Sequence, residues 1–279
     1  MGGSTMENDS PHKLMDMPLE KKIDYSEMII EKAFRKLSYD NLYVAWTGGK
    51  DSSTLLWLFR ETALRLGLKK PNAMFIDEGS VFEEIHDFVK RLTTEWDIAL
   101  AVAKNSDFVS GNINVGDRIK VADLNARNRK ELEKIGFRED YFSFDPESYV
   151  GTHLMKTVAM NVFIENKGVQ ALATAIRWDE QETRSNEKFF SPRKVPEHTR
   201  LHPMLHWKER DVWDFINMKN IPFCSLYAKG YRSLGAKCST RKTSELSAWE
   251  QDLEKTSERA GRDQNKEEII ATLRALGYM

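Results

Sequence analysis

Cysteine is scarce, charge is balanced and no long apolar run exists. Two cysteines in 279 residues rule out a disulfide framework. With no signal-peptide pattern at the start and no apolar stretch near the ~18 residues of a membrane span, they point to a reduced, cytoplasmic protein without a membrane segment. Lys and Arg total 42 against 43 for Asp and Glu, so no global field favours nucleic acid as a partner, and any anion site must be local. A chain that is 41% hydrophobic and 30% charged is long enough for one large α/β domain with a smaller appendage. Residues 1–18, polar and rich in Gly, Ser, Asp and Met, are expected to be a disordered lead-in.

What stands out is Tyr43-Val44-Ala45-Trp46-Thr47-Gly48-Gly49-Lys50-Asp51-Ser52-Ser53. An apolar run meets a Gly-Gly turn and then the start of a helix. Glycine lets the backbone approach a ligand, and the first N–H groups of a helix carry partial positive charge, so this turn suits an anion. Lys50 adds a mobile charge and Ser52 and Ser53 add hydroxyls, while Asp51 can orient these groups or help hold magnesium. It is not the P-loop of NTPases, because Gly48 and Gly49 are adjacent rather than five apart.

Apolar positions Ile23, Met28, Ile29, Ala33 and Phe34 predict a helix over residues 19–37 ahead of this strand. After the loop, Leu55, Leu56, Leu58, Phe59, Ala63 and Leu64 continue the helix toward a cap at Gly67. A strand over Asn72 to Asp77, a helix carrying Val81, Phe82, Ile85, Phe88, Val89 and Leu92, and a strand over Ile98 to Val102 follow. Alternation of this kind predicts an α/β fold: a doubly wound, mostly parallel sheet with helices on both faces and a small C-terminal extension. Ligands then lie beyond the carboxyl ends of strands, where the Gly-Gly loop and Asp77 fall. Residues 104–150 lack periodicity and are read only as an insertion or lid. A helix from Thr152 to Glu165 and a strand over Gln170 to Ile176 lead into the charge-dense stretch 177–184.

Arg177, Arg184, Lys188, Arg193 and Lys194 are interleaved with acids, a pattern common on solvated faces. Following a buried strand, their arginine forks also suit phosphate or sulfate. His202, His206, Cys224 and Cys238 fit no compact zinc spacing, so zinc is not expected. A histidine of this pair beside a phosphate and a hydrogen-bonded structural histidine are equally open. The loop 230–242, with Arg232, Ser233, Arg241 and Lys242, could close over an anion. Residues 245–262 are strongly charged, and a short helix is expected over Lys266 to Leu276. The division is thus 1–18 lead-in, 19–227 nucleotide-binding α/β domain, and 228–279 anion loop and charged helical tail.

Thr47-Gly48-Gly49-Lys50-Asp51-Ser52 resembles the S-G-G-K-D-S signature of the PP-loop ATP pyrophosphatases, with threonine for the serine. From about Leu42 onward the chain resembles the phosphoadenosine phosphosulfate reductase family in its broad sense, within the adenine nucleotide alpha-hydrolase-like superfamily. Two branches compete. Toward the small subunit of bacterial sulfate adenylyltransferase point Gly49 to Ser53, Asp77…Gly79…Phe82, Met155-Lys156-Thr157, Arg177…Asp179-Glu180…Arg184…Ser191…Arg193, and Thr256-Ser257-Glu258-Arg259…Gly261-Arg262. Toward the sulfonucleotide reductases point Gly230 to Gly235 and Ser239-Thr240-Arg241-Lys242. Those enzymes use a nucleophilic cysteine in a Glu-Cys-Gly segment, and no cysteine follows Cys238; Ala236 and Ser239 stand where a cluster type would need cysteines, so no iron–sulfur cluster is expected.

The adenylyltransferase resemblance implies ATP with Mg2+, sulfate as acceptor, a GTPase partner subunit and the option of a homo-oligomer. It implies that Thr47 to Ser53 hold pyrophosphate, with Lys50 neutralising the leaving group and Asp51 supporting magnesium. Asp77 would contact nucleoside or metal, and Arg177, Arg184 and Arg193 would hold sulfate or the α-phosphate. Gly79, Lys156, Asp179, Arg232, Ser233, Arg241 and Lys242 are carried over as nucleotide- or phosphate-binding positions. A PP-loop enzyme that adenylylates another acceptor shares the same loop chemistry.

Overall fold

The fold, from a computed structural model, is described for residues 10–108, 113–181, 184–262 and for 269, 272 and 273. A short helix α1 (Pro11–Met15) precedes α2 (Leu19–Lys36). The lead-in is therefore ordered in its described part: Leu14 is buried against Tyr25 and Ile29, because Ser10 caps the turn and its one large apolar residue has a pocket to fill. Then β1 (Leu42–Ala45), α3 (Lys50–Arg65), β2 (Asn72–Ile76), α4 (Glu83–Glu95) and β3 (Ala99–Ala103) alternate. Met28 and Leu64, counted on the apolar stripes of α2 and α3, face solvent at 45% and 57% exposure.

Residues 104–150 contain elements that periodicity did not indicate. Strands β4 (Arg118–Lys120) and β5 (Tyr141–Ser143) pair antiparallel around α5 (Ala126–Lys134), whose first turn is closed by the Asn125 side chain accepting from Asn128 N at 2.9 Å. They form a separate apolar cluster of Leu124, Leu132, Phe142, Val150 and Leu154, which Leu273 joins from the far end of the chain. The expected tail helix otherwise lies outside the described residues. The expected helix from Thr152 is a composite: α6 (Tyr149–Gly151), a π-helical segment (Thr152–Val158) and α7 (Ala159–Lys167), closed by Gly168 at φ 59°. Beyond it lie β6 (Ala171–Ala173), a hairpin of β7 (Phe190–Lys194) and β8 (Glu197–Leu201), and α8 (Glu209–Lys219).

The main sheet runs β3-β2-β1-β6-β8-β7, parallel except for β7. The chain steps outward from β1 through β2 to β3, then crosses to the other side of β1 at β6. Ligand sites in such sheets lie where the order reverses, here between the carboxyl ends of β1 and β6. The principal core fills this sheet with α2, α3, α4 and α8, using Val44, Trp46, Leu55, Phe59, Phe88, Trp207 and Trp213. No helix among the described residues is long and apolar enough to cross a membrane.

Candidate nucleotide-binding site

The Gly-Gly loop leaves β1 at the switch point. Trp46 extends the strand, its N–H donating to Met74 O at 2.9 Å, and its indole Nε1 donates to Ser53 Oγ at 3.0 Å. The turn is made at Gly48, whose φ is 75° and whose missing Cβ leaves room for Ile85 of α4; a Cβ there would lie 2.8 Å from Ile85 Cγ2. Only glycine combines that dihedral with that approach. Ser52 Oγ accepts from Thr47 N at 3.2 Å, folding the loop over the helix start. Lys50 N–H, one of the donors a helix start leaves without an internal partner, is taken by Tyr227 Oη at 2.8 Å.

Beneath the loop is a buried ion network. Lys50 is 1% exposed and its ammonium is bonded to Glu258, with Asp51 at 3.2 Å and Glu209 at 3.6 Å. Arg177, wholly buried, bonds Asp51 and Glu258 and reaches Asp179 at 2.9 Å. Arg232 donates to Glu209 at 2.7 Å, to the Asp252 and Leu253 carbonyls at 3.2 Å each and to Thr256 Oγ1 at 2.5 Å. Burial alone would lower the pKa of Lys50, but Glu258 and Glu209 outweigh it and hold the ammonium above its ordinary value. Burial opposes the charge of Glu258 too, yet Arg177 and Lys50 carry its carboxyl well below the usual range. Glu209 is raised, by burial and by the like charge of Glu258. Tyr227 is pushed up to about 12 by burial, so its hydroxyl stays protonated.

Above this floor opens a cavity of ≈ 360 Å³. Its wall includes the apolar residues Phe75, Ile76, Val81, Ile85 and Leu234, and also Lys156, Arg184, Arg193, Arg200 and His202 with the acids Glu78, Glu180 and Glu187. Of the residues singled out from sequence, Thr47, Gly49, Lys50, Asp51, Ser52, Lys156, Arg184, Arg193 and Ser233 meet on its wall. Arg184 is bonded to Glu180, Lys156 to Glu78 at 2.7 Å, and Arg193 to Ser191 Oγ at 2.6 Å. Lys156 comes from the π-helical segment, an irregularity often found at functional sites.

The other expected positions lie elsewhere. Arg177, expected to grip an oxyanion, is below the wall with its guanidinium committed to carboxylates. Asp179 bridges Arg177 and Glu209 N, the latter at 2.8 Å, and so caps α8. Asp77 accepts from Gly79 N at 3.1 Å, shaping the turn after β2. Gly48 and Ser53 serve the loop's geometry, and Arg232 the ion network. Arg241 and Lys242 line a separate cleft of ≈ 610 Å³ with Cys238, whose thiol is pushed up by burial. His202 is on the cavity wall, its Nδ1 2.7 Å from Thr174 Oγ1. His206 is a core residue donating from Nε2 to Lys22 O at 3.1 Å.

Sequence reading missed Tyr227, Glu209 and Glu258 as parts of the site. Only Glu258 had a local signal, its place in Thr256-Ser257-Glu258-Arg259. No group of three or more His, Cys, Asp or Glu among the described residues could hold a metal ion. The Asp51 carboxylate, 23% exposed, is bonded to Arg177 and faces Lys50 at 3.2 Å, so it is a candidate only for a magnesium held mainly by substrate phosphates.

The model of the phosphoadenosine phosphosulfate reductase domain family matches residues 41–242. A relative from Rhizobium tropici, sulfate adenylyltransferase subunit 2, is 26% identical over 213 residues, which cover 68% of this chain and 62% of that protein; the chain thus spans about three fifths of the length of the curated relatives it matches. Among solved structures, yeast FAD synthetase in complex with FAD is similar with a TM-score of 0.63, 16% identity and coverage of 91% of this chain and 95% of that one. Phosphoadenylyl-sulfate reductase from Candida auris gives 0.55, 16%, 80% and 96%. At these identities the structures report a shared fold. The chain belongs to the phosphoadenosine phosphosulfate reductase domain family.

Proposed function

We propose that this family member is an adenylyl-transferring enzyme related to sulfate adenylyltransferase, forming adenosine 5′-phosphosulfate and pyrophosphate from ATP and sulfate. The observation that carries the reading is the meeting, on the wall of one switch-point cavity, of the Gly-Gly loop, the apolar side chains Phe75, Ile76, Val81, Ile85 and Leu234, and the arginines Arg184 and Arg193. A sulfate oxygen attacks the α-phosphorus; the bond from that phosphorus to the bridging oxygen breaks, and pyrophosphate leaves with its electron pair. No protein nucleophile is needed, so the protein's part is position and charge.

In this reading the loop from Thr47 to Ser52 and the start of α3 face the pyrophosphate end, with Lys50 supplying positive potential from below. Asp51 supports magnesium, which when bound neutralises charge on the leaving phosphates. Arg184, Arg193 and Lys156 face the acceptor and α-phosphate. Arg177 acts through Asp51, Asp179 and Glu258 as a positioning residue, and Asp77 and Gly79 shape the turn after β2. A GTPase partner subunit and a cytoplasmic site of action belong to the same proposal; the relatives' description as one subunit of sulfate adenylyltransferase supports a partner subunit. The position of Cys238 in the other cleft disfavours thiolate attack on a sulfonucleotide held in this cavity.

The test is ATP formation from adenosine 5′-phosphosulfate, pyrophosphate and magnesium, the thermodynamically favourable direction. Activity is expected in the wild type and to fall roughly 10²–10³-fold in Arg184→Gln. The Lys50→Ala variant is also expected to be inactive, and Arg184→Gln separates chemistry from loss of the buried network. No ATP, with sulfite released from a phosphosulfate nucleotide and a thiol donor, would replace this reading with a reductase; no activity toward sulfonucleotides but ATP–pyrophosphate exchange with another acid would move the acceptor.

A further inference from the structure

Four arginines on or beneath the cavity wall have a carboxylate partner: Arg177 has Glu258, Arg184 has Glu180, Arg193 has Glu187 and Arg259 has Glu180. Arg262 does not. Its side chain lines the nucleotide cavity and also the larger cleft beside it, so it stands in the partition between them. Nη1 donates to Leu234 O at 2.8 Å, Nε is buried with no hydrogen-bond partner, and among the described residues no carboxylate forms an ion pair with it. Glu147, Glu78 and Glu180 act on it only through space, while burial and the like charge of Arg259 push its pKa down.

A guanidinium drawn out of water without a counter-charge is costly, and here the backbone is shaped to admit it. Gly235 passes against the guanidinium so closely that a Cβ there would lie 2.1 Å from Arg262 Cζ. The backbone at Gly235 is therefore shaped around a guanidinium that, among the described residues, has no direct carboxylate partner. Its planar fork offers paired donors that suit a tetrahedral oxyanion.

We propose that Arg262 is an oxyanion-binding residue, receiving a phosphoryl or sulfate group whose charge completes the site. The inference rests on the nucleotide reading only in that the anion enters through the same cavity. Calorimetry and thermal melting of the full chain with inorganic sulfate, inorganic pyrophosphate and adenosine, each alone, test it. Arg262→Gln keeps a donor for Leu234 O but no charge. It is expected to weaken sulfate or pyrophosphate about tenfold or more, with Arg262→Lys intermediate and adenosine unchanged, and whichever anion is affected identifies the group held.

The ligand-free melting temperature of Arg262→Gln should stay level or rise, because a buried cation without a direct ion pair has gone; a merely structural clamp would lower it. Unchanged oxyanion affinity, or equal losses for adenosine and both anions together with a lower melting temperature, overturns the assignment. Wild-type protein that binds adenosine but neither anion overturns it while leaving nucleotide binding intact. Protein that binds none of the three overturns both readings.

Discussion

A buried histidine turns the acid limb of stability into a local property. His206 sits edge-on to Tyr25, with ring centroids 5.2 Å apart, and burial lowers its pKa to about 3. Its unfolded value is higher, so the unfolded chain takes up the proton first. The stability it contributes is complete above the unfolded pKa of about 6.5 and is lost as pH falls toward 3, at up to about 1.4 kcal/mol per pH unit. Urea midpoints measured from pH 7 to pH 4 should fall less steeply in His206→Gln, which keeps an N–H for Lys22 O; an unchanged slope would place the acid sensitivity elsewhere. Glu258, held low by Arg177 and Lys50, adds a second loss below about 4.5, while Glu209, held high, works against it.

At the scale of elements, the β1-loop-α3 unit depends on one backbone position. Gly48→Ala requires a side chain at φ 75° and a Cβ 2.8 Å from Ile85; about 1–3 kcal/mol of destabilisation follows from the dihedral alone. Because the contact displaces α4 from the loop, nucleotide affinity should drop further than stability does, as titration of ATP at a temperature where the variant remains folded would reveal. This unit was legible in sequence because its signals are contiguous: an apolar run, two glycines and a serine-rich helix start. The β7–β8 hairpin was not. Its residues are charged, Pro192 and Pro196 lie within or beside it, and only Phe190, Thr199 and Leu201 hint at a strand. Strands β4 and β5, three residues each, are too short for alternation to register. The π-helical segment follows from tertiary packing and reads in sequence as ordinary helix. Likewise the arginine-bearing stretch 177–193 was found, but which arginine faces the cavity was not, since Arg177 is withdrawn by its neighbour Asp179 and by Asp51 and Glu258 from two other parts of the chain.

Across the whole molecule, distant segments share two assemblies. The principal core joins the first helices to Ala248 near the tail, and the cluster in residues 104–150 takes in Leu273, which is wholly buried. Leu273→Ala should cost about 2–5 kcal/mol locally. Hydrogen exchange should rise in α5 and β5 while β1 and β6 remain protected; equal loss throughout would mean that the two clusters open as one. The ion pair between Lys50 and Glu258 spans 208 residues of sequence, and that span sets an order of events during synthesis. At roughly 5–20 residues per second, the ribosome delivers Glu258 on the order of 10–40 s after Lys50. Through that interval the lysine of a nascent first βα unit has no buried acid to meet and must stay hydrated. The floor beneath the Gly-Gly loop is thus among the last parts assembled, and a nucleotide cannot template the early folding of the chain that will hold it.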